Sequence, residues 1–568
     1  MMNNLRQLVA VARGHESADI IFTNAMIVNT LSGDIEEGNV AICDDRIAGI
    51  GDYRDGKEII DLKGKYLVPT FIDGHVHIES SMLHISRYAE AVVPRGVCGI
   101  VTDLHEIANV KGIEGVKYMI ECSRDLPLDC YFMSPSCVPA THLETAGAML
   151  SAPEVVKALK GDRTIGLGEV MNFPGVLAAD PGVIKKIIAA DGKIIDGHAP
   201  GLKGKDLNAY IACGIMSDHE STALDEAREK LRRGMFIMIR EGSSEKNLEA
   251  LLPLVTDRTY KRCMFVVDDR SCSDLKRDGE IDGVVRKAIS LGMDPVRAIQ
   301  LATINTAEYF RISRAGAIAP GYAANVFITP DLISLEAERV YHDGRLVAEN
   351  GKALFASSVL KGDEMTHTMH VKPYNADALA IPAEKANYPI IEIVPDQILT
   401  RKSFEKPKVN GKRIVSDIDR DIVKLAVIER HKATGNIGLA MIKGLGIKRG
   451  ALASSIAHDS HNIICAGVDD EDIYAASREV ERLGGGLVVA DGGRAVESLP
   501  LPIAGLLSDE PIEVVVDKME RMESAARRLG TGLASPFATL SFLALPVIPE
   551  LRLSDMGLVD VTEFRIMN

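Results

Sequence analysis

Apolar and polar positions follow different rhythms along this chain, and the changes of rhythm divide it. Between residues 19 and 52, short apolar runs at 20–22, 25–28, 39–42 and 46–50 are punctuated by Ser32-Gly33 and Gly51, which predicts a small β layer. Beyond residue 66, β-rich runs alternate with helical patterns such as 115–122 and 153–159. One run leads into His75, and others lie at 99–102, 130–133, 164–167, 193–195, 214–216, 235–239 and 263–267. Alternation of this kind predicts a (β/α)8 barrel over residues 66–314.

After a helical pattern at 294–310, strand signals return from 316 to 347. Residues 1–65 and 315–375 are therefore expected to form one small composite β domain from both flanks. The polar, irregular stretch 352–382 reads as a linker. From residue 391 the chain begins again, with a helix expected at 421–430, strands at 438–442, 451–456 and 484–490, and a long helix at 469–483. This is a separate C-terminal α/β domain over 385–568, so the fold class is α/β throughout. Residues 1–13 read as a short amphipathic helix rather than a signal peptide. The apolar stretch 537–548 is too short to span a bilayer and contains Pro546, so no membrane segment is expected.

Composition narrows the function. With 568 residues, 46% hydrophobic and 26% charged, the chain is an ordinary globular protein of several domains. A net charge of -15 repels polyanions, which disfavours nucleic acid and anionic membranes as partners and leaves a small neutral or cationic substrate. Nine cysteines without a C-x-x-C pair point to reduced thiols, a cytoplasmic location and no Cys-rich zinc site.

Candidate chemistry begins where the first barrel strand stops. Val68-Pro-Thr-Phe-Ile-Asp-Gly-His-Val-His-Ile78 runs from an apolar strand into H-x-H, and alternate strand residues project to one side, so His75 and His77 can present two imidazoles to one point. Barrels of this kind draw catalytic groups from the C-terminal ends of several strands. Here the fourth strand ends in Gly166-Leu-Gly-Glu169, the fifth in Asp196-Gly-His198, the sixth in Ser217-Asp-His219 and the eighth in Val266-Val-Asp-Asp-Arg270. Any one of these has a bland account as a cap or loop residue; the set does not. Imidazoles and carboxylates together suit divalent transition metals, and a carboxylate can bridge two ions. Two ions roughly 3.5–4 Å apart hold a hydroxide that is nucleophilic at neutral pH, so hydrolysis is the expected chemistry.

Asp73-Gly-His-Val-His77, followed in order by Glu, His, His and Asp, resembles the amidohydrolase superfamily. Gly74-His-Val-His-Ile-Glu-Ser-Ser81, Thr102-Asp-Leu-His-Glu-Ile-Ala-Asn-Val110, Gly197-His-Ala-Pro-Gly201, Ser217-Asp-His-Glu220 and Asp268-Asp-Arg270 are similar to the bacterial-type adenine deaminases. So are Gly435-Asn-Ile-Gly438 and Ser455-Ile-Ala-His-Asp-Ser-His461 near the other end. The resemblance implies that His75, His77 and Asp268 bind one metal, that His198 and His219 bind a second, and that Glu169 bridges them. Many relatives bridge with a carboxylated lysine instead, and residues 164–171 contain none. It implies two divalent ions, Mn2+ or Fe2+ with Zn2+ as a further candidate, and hydrolysis of adenine to hypoxanthine and ammonia by a metal-bridging hydroxide at C6.

Within that implied reaction, Asp268 would carry the hydroxide proton to the leaving amine, and Glu106, beside His105, would protonate N1. Asp269 would share a proton at N7, with Arg270, Asp218 and Ser136 as further substrate contacts. A homo-oligomer is expected. His458-Asp-Ser-His461 is expected to be a hydrogen-bonded turn near the barrel mouth or a subunit interface rather than a metal site. Alternatives are a ring amidohydrolase, an N-acetyl-sugar deacetylase, or a non-catalytic barrel scaffold, which should have dropped some of the ligands. A cytidine-deaminase zinc fold is disfavoured because P-C-x-x-C is absent.

Overall fold

Strands buried on both faces need parallel neighbours and near-continuous apolar sequence. In the computed structural model, which describes residues 2–360, 362–395 and 397–567, β1 (Phe71–His77) and β2 (Val97–Asp103) are of this kind, every residue of both being buried. They pair in parallel and in chain order with β3 (Asp129–Ser134), β4 (Thr164–Val170) and β5 (Ile194–Gly197). The parallel series continues through β6 (Ser217–Asp218), β7 (Phe236–Arg240) and β8 (Cys263–Val266). The Met216 N–H joins β6 to β5 through the Ile195 carbonyl at 3.2 Å. Just beyond β8, Asp268 and Asp269 pair with Val76 and His77 of β1, so the sheet curls back onto its first strand.

Strands from both flanks share a second sheet. Val326–Thr329, Arg339–His342, Arg345–Glu349 and Lys352–Ala353 continue outward from one side of Tyr66–Pro69, and Ala18–Asn29, Asp34–Cys43 and Arg46–Gly51 follow in that order from its other side. Residues 20–28 thus lie in one bulged strand rather than two short ones.

An eight-stranded sheet occupies the C-terminal region, with Ile422–Ile428 in its middle, bonded antiparallel to Ile437–Lys443 and Ile463–Gly467. The helix expected at 421–430 is therefore a strand. Ile422, Val423, Val427 and Ile428 are β-branched and all seven residues are buried, which leaves no polar face for a helix to present. The helix Asp470–Arg482 packs Ile473, Ala476 and Val480 against one face of this sheet, and Val515 of Ile512–Leu529 joins the core on the other. His105–Cys122 becomes helical straight after β2, which puts His105 and Glu106 in its first turn. No helix among the described residues is long and apolar enough to cross a membrane.

The C-terminal region is seated on the loops that follow the barrel strands. After β1, the Ser508 N–H donates to the Met82 carbonyl at 2.7 Å and the Ser508 carbonyl accepts the His84 N–H at 2.9 Å. After β3, Thr145 gives its N–H to Asp555 and receives the Asn462 side-chain amide on its carbonyl, both at 2.8 Å.

His84 also caps the helix Ile85–Val92, its Nδ1 accepting the Ser86 N–H at 3.3 Å, while its Nε2 has no partner among the described residues. Burial, with the Arg87 cation adding, pushes this imidazole down from 6.5 to about 4. Between those values the unfolded chain binds more protons than the folded one. The contribution of about 3 kcal/mol is complete above pH 6.5 and is lost as pH falls towards 4. His84→Asn keeps an acceptor without the titration, so its urea midpoint should fall less than the wild type's between pH 7 and pH 4.5. An equally steep fall in the variant would remove His84 as the cause.

Candidate metal centre

Strand alternation does for β1 what the pattern requires: His75 and His77 lie on one side with ring centroids 4.8 Å apart. The same place is reached from the other strands. Glu169 of β4 sets Oε1 3.9 Å from His75 Nε2 and 3.2 Å from His77 Nε2. Its Oε2 lies 2.7 Å from His198 Nδ1, just beyond β5, and 3.3 Å from His219 Nε2, just beyond β6. Asp268 Oδ1 is 3.7 and 3.3 Å from the same nitrogens of His75 and His77. Asp268 takes a left-handed backbone φ of 62° where it enters the centre, a conformation that non-glycine residues adopt infrequently and aspartate more readily than most.

These spacings fit ligands of shared ions. Bonds of about 2.0–2.2 Å at ordinary coordination angles place neighbouring ligand atoms about 3–3.5 Å apart. The buried His75 Nε2 points among these carboxylates with no hydrogen-bond partner among the described residues. Burial and the neighbouring His219 and His77 hold its imidazole well below the usual range, hence neutral with a lone pair to offer. His77 is oriented from behind, its Nδ1 3.0 Å from the Asp103 carbonyl, which leaves Nε2 for the centre. Burial disfavours charge on Glu169, yet the bonds from His198, His219 and His77 keep it well below the ordinary carboxylate range. Burial does the same to Asp268, and the Arg240 guanidinium together with His77, His219 and His75 brings it well below the ordinary range. The donor groups His75–His77–Glu169, His75–His219–Asp268 and Glu169–His198–His219 are each close enough to hold an ion.

The structure thus brings His75, His77, Glu169, His198, His219 and Asp268 together. His105 stands beside them, Nδ1 3.6 Å from Glu169 Oε1, and Glu106 follows with Oε1 3.5 Å from His105 Nε2. Asp269 is next to Asp268 and takes a hydrogen bond from Ser80. The remaining expected contacts give their polar atoms to protein partners. Asp218 accepts from the Ala199 N–H, Ser221 and Lys230 and is fully buried. Arg270 faces the carbonyls of Gly242 and Glu280, and Ser136 donates to the Glu169 carbonyl.

Residues 66–347 match the amidohydrolase family, and residues 397–565 match the adenine deaminase C-terminal domain. An adenine deaminase of Dehalococcoides mccartyi is 56% identical over 568 residues, covering 100% of this chain and 99% of its own. Adenine deaminase 2 of Carboxydothermus hydrogenoformans is 49% identical over 567 residues, again 100% and 99%. The adenine deaminase of Kosmotoga olearia is 44% identical over 562, covering 98% and 97%. The chain belongs to the adenine deaminase family.

Several groups around this adenine deaminase centre escape sequence reasoning. Arg240 ends β7 and bonds Asp268 Oδ2 at 2.5 Å and Glu220 Oε1 at 2.7 Å. Glu220 Oε1 is in turn 3.5 Å from His198 and 3.4 Å from His219. Arg240 and Asp103, which ends β2, stand at strand ends, so the rule that finds Glu169 also reaches them. The turn that carries His458 and His461 is legible in the sequence but its partner is not, since both side chains close on Glu106 from more than 350 residues away.

Asp103 Oδ2 accepts the Glu169 N–H at 3.0 Å, and a methyl group on Gly168 would collide with that carboxylate. Gly168→Ala should therefore cost about 1–3 kcal/mol of stability and lower the metal content of the purified protein. Gly532→Ala, where a methyl group meets open space, should change neither. Thermal unfolding and elemental analysis of both variants check this, and an unperturbed Gly168→Ala would show that the Asp103 contact is dispensable.

Proposed function

We propose that this centre hydrolyses adenine to hypoxanthine and ammonia, with His75, His77 and Asp268 holding one divalent ion, His198 and His219 a second, and Glu169 bridging the two. The observation that carries the proposal is the convergence of four imidazoles and two carboxylates in a chain that matches adenine deaminases from end to end. When bound, such ions lower the pKa of water and stabilise negative charge on oxygen. The family resemblance implies manganese or iron with zinc as the alternative; the imidazoles by themselves suit zinc or iron, and the carboxylates suit manganese.

The chain's own residues then manage protons. Asp268, a carboxylate at rest, accepts a proton from the attacking water and delivers it to the amine nitrogen leaving C6. Arg240 holds the other Asp268 oxygen and fixes its direction. Glu106 relays to N1 a proton held jointly with its imidazole neighbours. Burial disfavours charge on His105 and His458, but Glu106 raises both, His458 to about 9. Asp269 is raised by burial and by adjacent Asp268 against the pull of His77, which suits a carboxyl that donates to N7. Loss of ammonia and return of the remaining C6 hydroxyl proton to the Glu106 cluster leave oxygen on C6 and a proton on N1.

The catalytic strands constitute a (β/α)8 barrel over residues 66–314, the flanks 1–65 and 315–375 one composite β domain, and 385–568 a separate α/β domain. The nine-stranded sheet supports one composite domain from both flanks, and it takes Tyr66–Pro69 with it rather than with the barrel strands. All nine cysteines are free thiols, which supports a reducing, cytoplasmic setting.

Ammonia release from adenine, adenosine, guanine, cytosine and a hydantoin, with protein reconstituted in manganese or iron, tests the proposal. Adenine alone should turn over, and Glu169→Gln should lose at least about 100-fold in kcat, the cost typical of removing a group that supports a metal site, and hold less metal. Inert adenine with a full complement of metal would keep the centre and move the substrate to ring amides or acetylated sugars.

A further inference from the structure

We infer that the C-terminal domain supplies two positioning residues for deamination: His458 and His461 grip the two oxygens of Glu106 and aim its carboxyl into the barrel mouth. The inference rests on the assignment of Glu106 as the group that serves N1.

Glu106 is buried in the first turn of the helix after β2. A glutamate's terminal torsion is broad and roughly two-fold, so burial alone does not set where its oxygens point. Here each oxygen has its own imidazole. Oε1 lies 2.7 Å from His458 Nδ1, and Oε2 is bonded by His461 Nε2. The tautomer of His461 follows from its other nitrogen. Nδ1 accepts the Ala457 N–H at 3.3 Å, so the proton is on Nε2 and His461 donates to Glu106.

The turn that carries both histidines is braced on every side. His461 has a left-handed φ of 55°, and its N–H closes on the Ala457 carbonyl at 2.7 Å. The fully buried Arg430 bonds the His461 carbonyl, Thr368 and the Ala504 carbonyl. His431 Nε2 is 2.7 Å from the Ser460 carbonyl, and Asn462 reaches across to Thr145. The His458 ring stacks on Phe542 with centroids 4.7 Å apart and planes 22° from parallel. A turn needed only for its own domain would satisfy itself locally. Both side chains that leave this one end on the same carboxylate of the barrel.

Glu106, His458 and His461 also have the composition of a metal site. With its Nδ1 lone pair taken by the Ala457 N–H, His461 carries its proton on Nε2 and has no lone pair there to offer an ion. Positioning is therefore the account that the geometry favours. Its value comes from precision, because a displacement of about 1 Å at a reacting group costs on the order of 100-fold.

A double-mutant cycle in the full-length, metal-loaded enzyme tests this, with Glu106→Gln, His461→Gln and the pair, and a second cycle using His458→Asn should His461→Gln fail to fold. Glu106→Gln should lower kcat about 10²- to 10⁴-fold, the usual worth of a positioned acid or base. Each histidine variant should lower kcat about tenfold or more, with KM and metal content little changed, and should cost nothing further once Glu106 is Gln. Losses that multiply in the double variants would overturn the inference, since the histidines would then act only through the fold. Full kcat in Glu106→Gln would instead overturn the assignment of Glu106 itself, and the inference with it.

Discussion

Glu169 is a buried carboxylate whose two oxygens face different pairs of imidazoles, Oε1 towards His75 and His77, Oε2 towards His198 and His219. Leaving such a charge unpaired away from water costs several kcal/mol, so its partners are a condition of the fold as well as of the chemistry. Those partners come from the ends of β1, β5 and β6, which meet only because the parallel sheet curls until Asp268 lies beside Val76. The hydrophobic strands and the polar centre are thus one constraint: the barrel that buries Phe71 and Val101 also decides that His77 and Glu169 are neighbours.

Around this core the charge is graded. Asp268 and Glu220 share Arg240 and stay ionised. One layer out, burial pushes Asp103 up to about 6 and both Glu79 and Asp196 up to about 7. Near neutrality Asp103 is mostly ionised while Glu79 and Asp196 are about half protonated, so this layer carries less negative charge than free carboxylates would. Asp103 also orients the inner groups, since it holds the Glu169 backbone N–H through one oxygen while its own carbonyl faces His77.

How much of this is legible in the sequence depends on distance along the chain. The His75–His77 pair follows from the two-residue repeat of one strand, and Glu169, His198, His219 and Asp268 from the rule that barrel strands end at the site. Asp218 passes the same rule, yet its oxygens are turned to Lys230 and Ser221, because proximity in sequence to His219 says nothing about the opposite face of a strand. Residues 421–430 fail for a different reason. A run such as Ile422–Ile428 has no periodicity to separate a buried strand from a buried helix, and only its neighbours on both sides decide. Glu106 reads as a loop residue until the helix His105–Cys122 is seen to start at the strand's end.

The C-terminal region resolves what the barrel alone leaves undetermined. Segments at a barrel mouth are its least constrained parts, and those that follow β1, β2 and β3 carry Ser80, Glu106 and Thr145. Each is tied to a region with its own sheet and core: Met82 and His84 to Ser508, Glu106 to His458 and His461, Thr145 to Asn462 and Asp555. Without those ties, the Glu106 oxygens would be free to turn to water, and the carboxyl would be spread over several orientations. A rigid sheet reaching over the mouth removes that freedom before substrate arrives, so the ordering cost is met in folding rather than in each turnover.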